Sequence, residues 1–149
     1  MRIIGLDHGA RRIGVAVGDT ETRMAFERDA IHRRSVATDV ARIAELRAAE
    51  GAELVVIGLP TNMDGSEGEQ AATVRAFGDE LAAIGLAVAF ADERLTSWEA
   101  AERLSAAGRR PDRSSGELDS TAARLILQQY LDALPPAPSH EANPAEETE

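Results

Sequence analysis

Acidic side chains occur at three points of the sequence where an apolar run ends or a helix begins. Asp7 follows a short apolar run near the amino terminus, and Asp92 and Glu93 follow another. Asp119 lies in the first turn of the last predicted helix. Carboxylates that converge on one point suit hard divalent cations such as Mg²⁺ and Mn²⁺. Two such ions about 4 Å apart can activate a water and stabilise the leaving oxygen when a phosphodiester is cleaved. The pattern therefore predicts a metal-dependent site for phosphate chemistry.

Each of these acids also has a simpler structural explanation. Asp7 could cap the turn that follows it through an Asx hydrogen bond, and Asp119 would be stabilised by the positive end of its helix. Because side chains alternate along an extended chain, Asp92 and Glu93 should point in opposite directions, so only one of them faces Asp7. His8 is beside Asp7 in the sequence and is interpreted as an ordinary turn residue.

The composition limits the classes of protein to which the chain can belong. Its 149 residues favour one domain, and a hydrophobic content of 44% supports a core. The chain has no cysteine and only three scattered histidines, so a zinc or thiolate site is not expected. No apolar run approaches the roughly 20 residues of a membrane span, and no signal peptide is recognisable. A cytoplasmic location without a membrane partner is therefore expected.

The charge pattern argues against a generic nucleic-acid-binding protein. The net charge is −10, and all 16 basic residues are arginines. Nucleic-acid binding relies on cations that face the phosphates. Clustered arginines and bound divalent ions can nevertheless reverse the sign of the potential locally. An enzyme that acts on nucleic acid is therefore compatible with the acidic composition.

Hydrophobic periodicity predicts the elements that must position the acids. Apolar runs predict strands over residues 2–6, 13–17, 24–31, 54–58 and 86–91. Helical spacing and capping residues predict helices over 35–49, 67–84, 96 or 97 to 107, and 117–131. One domain is expected at 1–134. Residues 135–149 are rich in Pro, Ala and Glu, which predicts a disordered acidic tail.

The order of the elements predicts an α/β fold with helices on both faces of the sheet. Three meandering strands come first, and the later strands, which alternate with helices, should be parallel with right-handed crossovers. Such sheets bind ligands at the carboxyl ends of their strands, where Asp7 and Asp92 are predicted. The small pair Ala122 and Ala123 would let the last helix lie close to the sheet and bring Asp119 towards Asp7.

Four segments, which occur in the right order along the chain, resemble a known family. They are DHGARRIGVAVGD at 7–19, VIGLPTNMDGSE at 56–67, DERLTS at 92–97 and DSTAARLILQQYL at 119–131. With these segments the sequence resembles the YqgF/RuvX family, whose members are described as pre-16S rRNA nucleases and also as Holliday junction resolvases. Each segment alone is a weak signal, but together they are specific. The resemblance implies an RNase H-like fold with a mixed five-stranded sheet.

The resemblance also implies roles for individual residues. By their positions in the motifs, Asp7, Glu93 and Asp119 would be the catalytic acids and the ligands of Mg²⁺ or Mn²⁺, with two ions expected. Arg12 matches an arginine of the first turn that is a candidate phosphate contact. The further candidates for substrate binding are Arg11, Asn62, Arg94, Arg109 and Arg110. The family often has a basic residue just before the last acid, whereas this chain has SSGE at 114–117. Phosphate binding there is expected to fall to the nearby arginines.

Several functions stay open from the sequence. An RNA nuclease that matures the 5′ end of pre-16S rRNA is the first interpretation, and a resolvase of four-way DNA junctions is the alternative. Sugar kinases and actin-like ATPases share the topology and an Asp-x-Gly hairpin that faces phosphate, so a nucleotide-binding or phosphotransfer domain is a third interpretation. A non-catalytic RNA-binding module is a fourth. The expected partners are RNA or branched DNA and ribosomal precursor particles, and the chain is expected to be a monomer or a homodimer.

Overall fold

The computed structural model describes residues 1–92 and 117–135, in which a single sheet carries the helices. The strands are β1 (Arg2–His8), β2 (Arg12–Asp19), β3 (Met24–His32), β4 (Ala52–Leu59) and β5 (Val88–Asp92). The helices are α1 (Val36–Glu50), α2 (Glu69–Ala83) and α3 (Glu117–Ala133).

The sheet is mixed and has the strand order β3-β2-β1-β4-β5. β1, β2 and β3 form an antiparallel meander, whereas β4 pairs parallel with β1, and β5 pairs parallel with β4. α1 connects β3 to β4, and α2 connects β4 to β5. The predicted α/β fold with a mixed five-stranded sheet is therefore confirmed. β3 lies at an edge, where the charges that interrupt its apolar pattern are tolerated.

Part of the predicted organisation lies outside the described residues. This holds for the helix predicted to end at residue 107, for the arginine-bearing loop before α3, and for the tail after Pro135. It also holds for four predicted site residues, which are Glu93, Arg94, Arg109 and Arg110. Among the helices of the described part, none is long and apolar enough to cross a membrane.

β1 is longer than its apolar run. The backbone ladder pairs Asp7 with Gly14 and His8 with Ile13, so the strand continues two residues past Leu6. Pairing between main chains does not depend on the polarity of the side chains, and it carries the strand beyond the apolar residues. The prediction that Asp7 stands just past the end of its strand is therefore wrong, because Asp7 is a strand residue.

The ends of α1 follow from local signals. Ser35 precedes the helix, and its hydroxyl accepts the backbone N–H of Thr38 at 3.1 Å. Gly51 follows the helix with φ at 67°, a left-handed conformation that glycine adopts without strain. Both caps were predicted from the sequence and are confirmed.

The two faces of the sheet bury different side chains because neighbouring strand residues point to opposite sides. Ile4 and Leu6 belong to the core beneath α1 and α2, together with Phe77 of α2. Ile3 belongs to the core beneath α3. The fully buried side chains of α3 in this second core are Ala123, Ile126, Leu127 and Leu131. Helices therefore cover both faces, as predicted.

α3 lies close to the sheet where a glycine faces it. A Cβ atom on Gly5 would be 2.8 Å from the Cβ of Leu127, so no larger residue fits without a shift. Polar contacts also attach the helix to the start of β3 and to the turn before it. The side-chain amide of Gln128 donates to the carbonyl of Arg23 at 2.7 Å and accepts the N–H of Ala25 at 3.0 Å. α3 is thus fixed to the edge of the meander as well as to its centre.

Candidate active site

Asp7 lies on the face of β1 that α3 covers. Its side chain is only 9% exposed, and the residues at alternate positions, Ile3 and Gly5, also face α3. Across the hairpin Asp7 pairs with Gly14 of β2. A carboxylate this deeply buried requires polar or ionic partners. Its position on a face otherwise formed by apolar and small residues marks a candidate site.

Gly14 makes the contact between β2 and α3 possible. A Cβ atom on Gly14 would lie 2.0 Å from the carbonyl oxygen of Asp119 and 2.9 Å from the backbone nitrogen of Ser120. The first turn of α3 therefore rests directly on the backbone of β2. Because Asp7 pairs with Gly14 across the hairpin, Asp7 and Asp119 are both neighbours of the same glycine.

Ser120 fixes the start of α3 on the sheet. The ladder between β2 and β3 shifts register between Ile13 and Val15, which indicates a β-bulge. At this shift the hydroxyl of Ser120 accepts the N–H of Val15 at 3.4 Å and donates to the carbonyl of Arg28 at 2.7 Å. Val15 and Arg28 are partners in the ladder, so the buried hydroxyl bridges a pair of backbone groups. Asp119, the residue before Ser120, is thereby held at the hairpin.

Arg12 forms an ion pair with Asp119. Its Nε lies 2.9 Å from Oδ2 of Asp119, and the two side chains are 18% and 27% exposed. The sequence did not predict this contact. Arg12 therefore offsets the charge of an acid that was predicted to bind metal, and its role as a phosphate contact stays a prediction. Arg11, the neighbouring candidate, is exposed at the turn between β1 and β2.

Asp92 ends β5 on the side of the sheet away from α3. Ala89 and Ala91 pack with the core beneath α3, so the alternation of side chains directs Asp92 to the other side. Its Oδ1 accepts the hydroxyl of Thr61 at 2.8 Å, which connects β5 to the loop after β4. Glu93 has the same parity as Ala91 in the sequence, but it lies outside the described residues.

The loop after β4 is held by its own polar groups. The side-chain amide of Asn62 donates to the hydroxyl of Ser66 at 2.9 Å, and the backbone N–H of Asn62 donates to the carbonyl of Ser66 at 2.8 Å. Asp64 accepts both the N–H and the hydroxyl of Ser66. Asn62, a predicted substrate contact, is exposed. Its side-chain amide nevertheless forms its hydrogen bond within the loop.

His8 lies on the opposite face of β1 from Asp7. Its ring centroid is 4.6 Å from that of Phe77, and the residue is 5% exposed. Burial, followed by the positive charge of Arg33, lowers the pKa of His8 from 6.5 to about 4. The interpretation of His8 as a turn residue is therefore wrong, because it is a strand residue whose neutral imidazole belongs to the core beneath α1 and α2.

Two of the three predicted metal ligands, Asp7 and Asp119, lie in the described part of the chain. Both offer carboxylate oxygens, the donors that hard divalent cations take. Within residues 1–92 and 117–135, no three His, Cys, Asp or Glu side chains form a group that could hold a metal ion. The third predicted ligand, Glu93, is not among these residues.

Three features around the site were not predicted from the sequence. They are the contact of Gly14 with α3, the bridging hydroxyl of Ser120, and the full burial of Asp39 in α1. Two of these features could have been inferred from a pattern in the sequence. Gly14 and Gly18 lie on the same face of one strand, which indicates a face with little side-chain volume. Asp39 precedes the buried Ile43 by one helical turn and therefore lies on the same face of the helix.

The sequence has close matches among known proteins. Residues 1–133 match a family model described as "RuvX: Holliday junction resolvase". A protein of Synechococcus sp. named "Putative pre-16S rRNA nuclease" is 48% identical over 130 residues, which are 87% of this chain and 87% of the relative. Proteins of the same name from Moorella thermoacetica and Anaeromyxobacter dehalogenans are 47% and 44% identical. These matches cover 90% and 91% of this chain, and 96% and 100% of the relatives.

The fold is similar to that of a solved structure whose sequence has little identity with this chain. "T. thermophilus RuvC in complex with Holliday junction substrate" matches with a TM-score of 0.55 and 16% sequence identity. The match covers 89% of this chain and 94% of the solved chain. At this identity the likeness concerns the fold, and it confirms the predicted RNase H-like architecture.

Proposed function

Because this chain belongs to the RuvX family, we propose that it is a divalent-metal-dependent nuclease that hydrolyses phosphodiester bonds in RNA. Family and fold both support nuclease activity. The proposed substrate is the 5′ end of pre-16S rRNA in cytoplasmic ribosomal precursor particles. The relatives with 44–48% identity, which are named for pre-16S rRNA, support this choice.

The observation that carries the proposal is that Asp7 and Asp119 both adjoin Gly14, because Asp7 pairs with it across the hairpin and the backbone of Asp119 packs against it. An acidic residue of the first strand and an acidic residue of the last helix are thus neighbours of one glycine on one face of the sheet. Like charges at close range disfavour the ionised state of both groups unless positive charge is near. Arg12 offsets the charge of Asp119, and a bound cation would add positive charge beside both acids. A helix that needed only a favourable charge at its start would not require the second acid.

We assign Asp7, Glu93 and Asp119 as the catalytic acids and as the residues that would hold two Mg²⁺ or Mn²⁺ ions. The donors fit this assignment, because they are oxygens of carboxylates without histidine or cysteine among them. Ions of this type supply the Lewis acidity that activates water and stabilises the leaving oxygen of a phosphodiester. The chain itself contributes the placement of the acids, for which Gly14 and Ser120 anchor α3 on the hairpin.

Arginines supply the local positive charge that an acidic chain needs in order to bind nucleic acid. Arg12 is partly exposed beside the site. Its planar guanidinium suits a phosphate as well as a carboxylate, so it can exchange Asp119 for a phosphate of the substrate. The other proposed substrate contacts are Arg11, Asn62, Arg94, Arg109 and Arg110.

A second candidate function is the resolution of four-way DNA junctions. The description of the family favours it, and so does the similar fold of the RuvC solved in complex with a Holliday junction substrate. Both substrates present phosphodiesters to the same acids, so the two functions differ in the shape and sugar of the nucleic acid rather than in the chemistry. The names of the relatives with the higher identities favour rRNA.

A cleavage assay with three substrates tests these proposals. The full chain is incubated with pre-16S rRNA that carries its 5′ extension, with single-stranded RNA of unrelated sequence, and with a DNA four-way junction. Each substrate is tested with Mn²⁺, with Mg²⁺ and with EDTA. We expect cleavage of the pre-16S rRNA near its mature 5′ end, and only with a divalent ion. Cleavage of the junction alone would favour the second function. Activity in EDTA would contradict the metal assignment, and inactivity on every substrate would contradict the nuclease proposal.

A further inference from the structure

The turn between β1 and β2, residues 9–11, is supported from one side by Arg33. The Nη1 of Arg33 donates to the carbonyl of Gly9 at 3.2 Å, and its backbone N–H donates to the carbonyl of Arg11 at 2.8 Å. The turn itself is closed by a bond from the N–H of Gly9 to the carbonyl of Arg12 at 2.9 Å. Arg33 therefore contacts the turn at both of its ends, and Arg11 and Arg12 depend on the position of that turn.

The turn between β1 and β2 is not closely packed on the side of α2, so it depends on the polar contacts of Arg33. A pocket of about 340 Å³ that opens to solvent lies between the turn and α2. It is lined by His8, Gly9, Ala10, Arg33, Gln70 and Thr73. Since the interior of a protein is held rigid by close packing, a turn that borders a pocket has more freedom to shift. The polar contacts of Arg33 limit that freedom.

Asp39 holds Arg33 in place. Asp39 is fully buried in the first turn of α1. Its Oδ2 accepts a hydrogen bond from the Nε–H of Arg33 at 3.2 Å, and its Oδ1 accepts one from the backbone N–H of Arg34 at 3.1 Å. A buried carboxylate is tolerated when it is paired and hydrogen-bonded, and both oxygens meet this condition. α1 is in turn anchored in the core by Ile43, which is fully buried. A continuous series of contacts thus runs from the core through α1 to the turn.

We propose that Arg33 and Asp39 are positioning residues, which hold the turn between β1 and β2 where Arg11 and Arg12 can meet the phosphates of a nucleic acid. This inference rests on the proposed function and adds to it two residues that act through the turn. α1 fixes Asp39, Asp39 orients the guanidinium, and the guanidinium holds the carbonyl of Gly9. The pair therefore affects substrate binding more than the chemical step.

A double substitution separates this role from a contribution to stability alone. In Arg33→Met with Asp39→Leu, apolar side chains replace the ion pair, an exchange that is often neutral or stabilising when the pair is buried. The carbonyl of Gly9 nevertheless loses its donor, and the turn can shift. The matched control is Arg2→Met with Glu50→Leu. It removes a 2.6 Å ion pair between the other end of β1 and the other end of α1.

The experiment measures RNA binding, Mn²⁺ binding and turnover separately. Fluorescence anisotropy gives the Kd of fluorescein-labelled single-stranded RNA over a range of salt concentrations. Thermal unfolding with added Mn²⁺ reports metal binding, and cleavage of the best substrate gives kcat and KM. We expect the test variant to raise Kd and KM about tenfold and to reduce the salt slope by about one. Its Tm, kcat and stabilisation by Mn²⁺ should stay near the wild-type values, and the control should match the wild type throughout.

Wild-type values of Kd, KM and salt slope in a folded test variant would overturn the inference, as would a lower kcat with an unchanged KM. If the double variant fails to fold, Arg33→Lys provides the test, because an ammonium keeps the charge but lacks the planar fork that bonds Asp39 and Gly9 together. The same rise in Kd is expected, and an unchanged Kd overturns the inference. A wild type that neither binds RNA nor cleaves any substrate overturns the proposed function itself, which is a separate result.

Discussion

The two faces of the β1–β2 hairpin differ in side-chain volume although they share one backbone. The face beneath α1 and α2 carries Ile4, Leu6, His8, Ile13, Val15 and Val17. The face beneath α3 carries Ile3, Gly5, Asp7, Gly14, Ala16 and Gly18. One face is thus filled by large side chains, whereas the other leaves room for the backbone of a helix.

The difference shows how one sheet combines a stabilising core with the candidate site. Large apolar side chains on the first face bury area and stabilise the fold, at about 25 cal/mol per Å². On this face even the titratable His8 is held neutral. The second face has no side chain at Gly14, and this lets the backbone at Asp119 and Ser120 in the first turn of α3 pack directly against β2. Substitutions on the two faces should therefore have different consequences.

The largest effect is expected from Asp7→Asn, which keeps the shape of the side chain but removes its charge. Cleavage should fall below detection, and folding should survive, because two acids near one point repel each other less when one is neutral. Wild type should gain about 2.7 kcal/mol of stability at a Mn²⁺ concentration of 100 Kd, and Asp7→Asn should gain little. Thermal unfolding with and without Mn²⁺ measures both. Asp79→Asn, an exposed change on α2, is the control. Wild-type cleavage by folded Asp7→Asn would refute the catalytic assignment.

Gly14→Ala should be the most destabilising change on the α3 face. The new methyl group would occupy a point 2.0 Å from the carbonyl of Asp119, so α3 must move. We expect a loss of about 3 kcal/mol in the free energy of unfolding, the upper part of the usual range for overpacking, and a matching loss of cleavage. Urea denaturation measures the first. Gly68→Ala, where nothing lies within 4 Å of an added Cβ, is the matched control. Equal stability of the two variants would show that α3 does not depend on this contact.

On the opposite face, His8 should make the stability depend on pH. The pKa of His8 is about 4 in the folded state and 6.5 in the reference state, so the unfolded chain binds the proton more readily. The contribution is complete above pH 6.5 and is lost as the pH falls from 6.5 towards 4. Between pH 7 and pH 5 we expect a loss of roughly 2 kcal/mol. His8→Phe, which keeps an aromatic ring beside Phe77, should remove this part of the pH dependence in urea titrations. A slope identical to that of the wild type would exclude His8 as its source.

The smallest effect is expected from Arg12→Ala at the edge of the α3 face. RNA binding should weaken about tenfold, and its salt slope should fall by about one, because one phosphate contact is lost. Mn²⁺ affinity should rise, since a cation no longer competes for Asp119. Arg124→Ala, which removes an ion pair between α3 and Glu27 of β3, serves as the control. An unchanged RNA affinity would contradict the phosphate contact and would show that Arg12 serves only in the ion pair with Asp119.

The sequence predicted those parts of the fold that depend on local patterns. The spacing of apolar residues placed all five strands, and the capping signals of Ser35 and Gly51 placed α1. It also placed Asp119 correctly in the first turn of the last helix. It missed the end of β1, because main-chain pairing continued the strand through Asp7 and His8 after the apolar residues had ended.

The site itself was harder to predict because it depends on contacts between distant segments. The pair Ala122 and Ala123 suggested that the last helix lies close to the sheet, and a Cβ atom on Gly5 would indeed lie 3.3 Å from the carbonyl oxygen of Ala123, but the contact of Gly14 with the first turn of α3 was not predicted. Whether a strand glycine faces a helix is decided by the assembled sheet and not by its neighbours in the sequence. Asp39 is different, because its partners Arg33 and Arg34 are only six and five residues away and its burial is tolerated through these local contacts.

The contacts of Ser120 and Asp119 with β2 span 105 and 107 residues of sequence. This separation has a consequence for the order of events during translation. The β1–β3 meander is made before α3 and pairs with its immediate neighbours, whereas α3 must close a long loop before it docks. A nascent chain therefore carries Asp7 long before Asp119 can join it. If the two acids act together as proposed, a chain stalled before α3 should be inactive, and the ribosome that makes this nuclease should be safe from it until α3 has emerged.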